Sequence, residues 1–132
     1  FINAGTNTEE SLVVFRKSGG ADKPAYLEVS VCWAESEEEG QVTAYEQWPI
    51  AANRGELNRV LPTPTHYEQL VMMVTPKSVA EGVPCGPDPE VHIKKIEEGI
   101  RMGFDHICVH QIGKQQREFM EFYREEILPH FR

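Results

Sequence analysis

Three times along the chain a short run of β-forming residues gives way to a segment whose apolar side chains recur at helical spacing. The runs are "FINA" (1–4), "AYLEVSVCWA" (25–34) and "FDHICVH" (104–110). The helical segments after them are "TNTEESLVVFRKSGG" (6–20), "SEEEGQVTAYEQW" (36–48) and "KQQREFMEFYREEILPHF" (114–131). Strands that alternate with helices favour an α/β fold, a parallel sheet with right-handed helical crossovers. In such folds ligands meet the carboxyl ends of the strands and the loops beyond them. Here those ends are residues 3–7, 33–35 and 110–113.

Helix boundaries carry recognisable chemistry. Ser36 and Glu39 match the S-x-x-E capping box, and Glu37 to Glu39 suit the positive end of a helix dipole. Thr63-Pro64, Thr75-Pro76 and Asp88-Pro89 each pair a capping residue with proline at the first helical position. The last of these opens a helix with Ile93, Ile96 and Ile100 as its expected buried stripe and Gly103 as its stop. Phe119, Phe122, Tyr123 and Ile127 give the closing helix its apolar face. Residues 49–64 follow neither period and read as an excursion between proline markers. Met72 and Met73 read as core filler, and 25–33 as a strand covered on both faces.

With 132 residues the chain supports one domain, 1–132, short of the roughly 250 of a complete eight-stranded α/β barrel. No apolar run approaches the roughly 18 residues of a membrane span, so no membrane partner is expected. A net charge of −8 argues against a nucleic-acid partner. Cys32, Cys85 and Cys108 form no CxxC and cannot all pair, which fits reduced, buried thiols in a cytoplasmic protein. The chain opens on "FINAGTN" rather than on methionine, and it reads as the later part of a longer protein.

His106, Cys108 and His110 alternate along one face of the third strand. Same-face neighbours lie about 6.5–7 Å apart, too far to share one zinc ion at bond lengths of about 2.0–2.3 Å, so no metal is expected there. His106 is placed near the buried beginning of the strand. His110 and Gln111 are placed at its ligand-facing end.

The runs "VCWAESEEEG", "GELNRVLPTPTHYEQL", "CGPDPE" and "GFDHICVHQIG", in that order, resemble the C-terminal part of the luciferase-like, deazaflavin-dependent oxidoreductases. The likeness is greatest to the subfamily similar to glucose-6-phosphate dehydrogenases that use coenzyme F420. It implies a partial TIM-type (β/α)8 barrel, the last three βα units, with an insertion between the second and third. It also implies hydride transfer between coenzyme F420 and a small organic substrate. An FMN-dependent luciferase-like monooxygenase and a non-catalytic barrel fragment are the alternatives.

In that family the main cofactor contacts and the catalytic residues lie earlier in the barrel, so the resemblance assigns no catalytic or cofactor residue here. It leaves this chain part of the substrate pocket: Asn3, Thr6, Trp33, Glu35, His110 and Gln111. The cations that hold the sugar phosphate in the family have no match. Ala4 and Asn7 stand after the first strand, no lysine lies between Glu46 and Val60, and Glu81 falls near an expected arginine. Arg54 and Arg59 are the candidates to compensate. Three strands cannot close a barrel, and the apolar inner face expected of them implies a homo-oligomer or association with the rest of the barrel.

Overall fold

The three expected strands are present and pair in parallel in the order β1 (Ile2–Ala4), β2 (Ala25–Val31), β3 (His106–Gln111). The computed structural model describes residues 2–4, 8–53 and 57–132. The helices are α1 (Thr8–Phe15), α2 (Glu37–Gln47), α3 (Leu57–Val60), α4 (Pro64–Val71), α5 (Pro76–Ala80), α6 (Pro89–Arg101) and α7 (Gln116–Phe122). A π-type turn over Tyr123–Ile127 and a 3-10 turn over Leu128–Phe131 complete the chain. Within 49–64 the described residues hold a 3-10 turn at Pro49–Ala52 and the short α3, where the mixed period indicated no regular element.

β2 does not have two covered faces. Ala25, Leu27, Val29 and Val31 are buried against Leu12 of α1, Ile96 of α6 and Tyr123 and Ile127 of the closing segment, whereas Glu28 between them is exposed. A carboxylate in the middle of the strand has no partner in an apolar layer, so it marks the uncovered side. The register pairs Tyr26 with His106, Glu28 with Cys108 and Ser30 with His110. These six side chains therefore line the open face. That face is polar, contrary to the apolar inner face expected of the strands, so burial of apolar surface does not drive association through it. His106 and Cys108 are both exposed, contrary to a buried strand start and a buried thiol.

α6 packs on the core through Ile93 and Ile96 of the expected isoleucine stripe, but not through its third member. Its buried residues are His92, Ile96 and Gly99, while Ile100 is 50% exposed. A Cβ on Gly99 would lie 2.7 Å from both Ile107 Cδ1 and Leu27 Cδ2, so the missing side chain is what lets the helix approach. Met72 and Met73, at 83% and 78% exposure, lie outside the core. They follow α4 in a turn and fill no gap between elements. Capping is kept at Thr75, which exchanges hydrogen bonds with Ser78, and at Asp88, which accepts from Glu90 N at 3.0 Å. Thr63 makes no cap, its hydroxyl lying instead 2.6 Å from His66 Nδ1.

A second apolar cluster, Cys32, Ala44, Val79, Val83 and Cys85, sits where α2 and α5 meet beyond the end of β2. Cys32 N donates to Pro84 O at 2.8 Å, and Gly86 N donates to Cys32 O at 3.0 Å. Burial pushes the thiols of Cys32 and Cys85 up to about 11 and about 12, so both stay protonated at neutral pH. The same segment is tied to α6 by His92, which is fully buried. Its Nε2 lies 3.0 Å from Gly86 O, which can only accept, and its Nδ1 lies 3.0 Å from the Tyr123 hydroxyl. That assigns the proton to Nε2 and makes the Tyr123 hydroxyl the donor to Nδ1.

Burial lowers the pKa of His92. The unfolded chain then takes up a proton near pH 6.5 that the native state refuses. Stability should therefore fall as pH drops through that value, seen as a lower urea midpoint at pH 5.5 than at pH 7.5, and His92→Gln should flatten the difference.

Gly40 in α2 gives a second expectation. A Cβ there would lie 2.7 Å from Gly86 N and 2.8 Å from Cys32 O. Alanine in an open helix gains about 0.5–1 kcal/mol over glycine. Because the obstacles here are backbone atoms, Gly40→Ala should instead lose about 1–3 kcal/mol in urea unfolding. A stabilised variant would show that α2 stands further from β2 than described.

Candidate functional site at the carboxyl edge of the sheet

The carboxyl ends of β2 and β3 are joined by one side chain. Gln111 pairs with Val31 and shares its buried face. Its Oε1 accepts from Trp33 N at 2.9 Å and its Nε2 donates to Trp33 O at 3.0 Å, continuing the ladder two residues past the end of β2. Gln116 closes the next turn, donating to Gly113 O at 2.6 Å. The Trp33 ring lies 6.1 Å from Phe122 of α7, and its buried indole N–H has no hydrogen-bond partner. Trp33 and Gln111 are thus brought together on the helix side of the edge.

His110 turns the other way. On the open face its Nδ1 lies 3.5 Å from Ser30 Oγ and 4.0 Å from Glu28 Oε1. The ring of Trp48, which ends α2, stands edge-on to it at 5.6 Å. Deeper on the same face His106 stacks on Tyr26 at 4.5 Å. Glu28, Ser30 and Trp48 were missed in the sequence. The first two were signalled by the period-two pattern of β2, which puts them on the face opposite Leu27, Val29 and Val31. Trp48 had no signal beyond its place between a helix and a proline.

Glu35 is exposed in the loop after β2, beside the acidic first turn of α2. Ser36 caps that turn by accepting from Glu39 N at 3.2 Å. The Glu39 carboxylate does not return the bond but accepts from Gln115 Nε2 at 2.9 Å, joining this loop to the one after β3. Asn3 lies in β1, its backbone in register with Tyr26. The side chains of Asn3 and Arg59, with Thr6 and Arg54 entire, lie outside the described residues.

The open face at this edge therefore offers the Trp48 ring and an imidazole near a run of carboxylates, while Trp33 and its buried indole N–H stay on the helix side. That chemistry fits the flat ring of a deazaflavin or an uncharged substrate resting against it. It does not fit an anionic cofactor tail, which needs cations and backbone N–H groups.

No family model matches the chain. It is 28% identical over 112 residues to the F420-dependent glucose-6-phosphate dehydrogenase of Beutenbergia cavernae, covering 85% of this chain and 33% of that protein. It is 28% identical over 85 residues to the enzyme of the same name from Microbacterium testaceum, covering 64% of this chain and 25% of that protein. The chain thus spans a third or less of the length of the curated relatives it matches. Its fold is similar to that of an F420-dependent secondary alcohol dehydrogenase solved with an F420-acetone adduct. That match has a TM-score of 0.68 at 15% identity and covers 93% of this chain and 37% of the other. The chain resembles luciferase-like, F420-dependent oxidoreductases over part of their length.

The Gln111 bridge should be costly to lose. Gln111→Ala leaves two backbone groups of Trp33 without partners in a part-buried place, about 1–3 kcal/mol by urea unfolding. Tryptophan emission should shift to the red at the same time. An unchanged midpoint would mean that the edge is held by other contacts.

Proposed function

We propose that residues 1–132 form the last three βα units of an eight-stranded barrel, with an insertion between the second and third. The protein they belong to then transfers a hydride between coenzyme F420 and an organic substrate other than glucose 6-phosphate. One observation carries this reading. Among the described residues, helices pack a parallel sheet on one face, and its other face is lined by Tyr26, Glu28, Ser30, His106, Cys108 and His110. A polar inner face suits a barrel whose upper layer takes part in a site. The likeness in sequence to F420-dependent dehydrogenases supports the chemistry.

F420, when bound, supplies the hydride acceptor or donor. This chain's residues supply a wall and polar contacts on the open face, Trp48 and His110, with the exposed Glu35 in the loop after β2, while Trp33 and Gln111 hold the edge from the helix side. The anionic end of the cofactor is held by the rest of the barrel, since Glu35 and Glu37 to Glu39 would repel it here. The same carboxylates argue against a phosphorylated sugar. Free thiols at Cys32, Cys85 and Cys108 support a reducing cytoplasm. In the isolated chain the unpaired edges of the sheet favour a second copy or the rest of the barrel as partner.

The full-length protein assayed with F420 should turn over uncharged alcohols or their carbonyl products and leave glucose 6-phosphate untouched. Trp48→Ala should lower that turnover by about tenfold or more with F420 affinity nearly unchanged. Efficient oxidation of glucose 6-phosphate, or activity with FMN alone, would overturn the reading.

A further inference from the structure

His110 differs from the other histidines of the chain in standing near the carboxyl end of a strand on the open face of the sheet. His92 is bonded at both nitrogens, His106 is stacked on Tyr26, His66 meets Thr63 and His130 meets Glu97. His110 Nδ1 faces Ser30 and Glu28 of the neighbouring strand, and its Nε2 has no partner among the described residues. A carboxylate and a hydroxyl behind Nδ1 favour the tautomer with its proton there. Nε2 is then a bare acceptor. It stands at the carboxyl end of a parallel strand, where ligands of such sheets bind. The edge of Trp48 gives the place an apolar side.

We propose that His110 Nε2 accepts a hydrogen bond from the hydroxyl of an uncharged alcohol substrate, and that Glu28 and Ser30 are positioning residues that hold the ring for it. This rests on the hydride-transfer reading and adds to it the residue that meets the reacting group. Nε2 as acceptor selects a hydroxyl over a bare carbonyl. Trp48 suits the carbon frame, and Glu35 and Glu37 to Glu39, all exposed at this edge, disfavour a phosphate. The 3.5 and 4.0 Å separations are long for hydrogen bonds and are of the kind that shorten when substrate binds. No covalent step is assigned to His110.

Two measurements on the full-length protein test this. Without coenzyme, carbethoxylation by diethyl pyrocarbonate, followed residue by residue by mass spectrometry, should be slowed at His110 and not at His66 by at least one of isopropanol, cyclohexanol and benzyl alcohol. With F420, His110→Ala should lose about 100-fold in kcat/KM for the protecting alcohol, and His110→Gln, which keeps an acceptor, should recover about tenfold of it. Glu28→Gln and Ser30→Ala should raise KM about three- to tenfold with kcat and F420 affinity nearly unchanged.

Protection of His110 in a protein that does not bind F420 would sink the hydride-transfer reading and leave the alcohol contact standing. F420 turnover with His110→Ala at wild-type kcat/KM, or no protection by any of the three alcohols, would overturn the role given to His110.

Discussion

The parallel pairing of β2 with β3 decides nearly everything else, and it is locked at both ends by side chains from β3 and its approach. At the amino end Asp105 N donates to Ala25 O at 3.0 Å, and Asp105 Oδ2 accepts from Ala25 N at 2.7 Å. Arg16 reaches the same oxygen at 2.8 Å while bonding the carbonyls of Gly20 and Lys23, so the turn before β2 is fixed with it. These partners hold the Asp105 carboxyl below the usual carboxylate range, the Ala25 N–H first among them. At the carboxyl end Gln111 makes the corresponding exchange with Trp33. A slip of one residue would break both locks and send every side chain of β3 to the opposite face.

With the register fixed, the two faces take separate tasks. Leu27, Val29, Val31, Ile107 and Val109 meet the helices, and Gly99 lets α6 come close enough to meet them. Tyr26, Glu28, Ser30, His106, Cys108 and His110 are left to the other side. The excursion after α2 returns through α5 to set Cys85 beside Cys32, and His92 ties that return to the closing segment through Gly86 and Tyr123. The loop over the carboxyl edge is thus anchored to the buried core. Trp48 takes its position beside His110 from that anchored region.

Strand positions, the parallel order and the helix starts at Ser36, Thr75 and Asp88 could be read from the sequence because each depends on local chemistry. What could not be read depended on where neighbours stand. Ile100 looked buried because it is apolar and correctly spaced, but a helix close to a sheet needs a gap, and the gap is Gly99. Glu28 was visible all along as a charge in a strand, yet the Val-rich run around it suggested two covered faces. The H-x-C-x-H pattern was rightly assigned to one face of a strand, but which face it is follows only from the pairing with β2. At the site, His110 could be found from its place at a strand end. Its partners Glu28, Ser30 and Trp48 come from elements about 60 to 80 positions away, and no local pattern announces them.

A polar open face, an anchored excursion over its carboxyl edge and likeness to F420-dependent dehydrogenases support the account we propose, that this chain contributes the substrate side of a deazaflavin site. Equilibrium titration of the full-length protein with F420 and, in parallel, with FMN, followed by ligand fluorescence, tests it most directly. The account predicts saturable binding of F420 and FMN binding weaker by about tenfold or more, equivalent to about 1.4 kcal/mol. Tight binding of FMN, or saturation by neither, would contradict it.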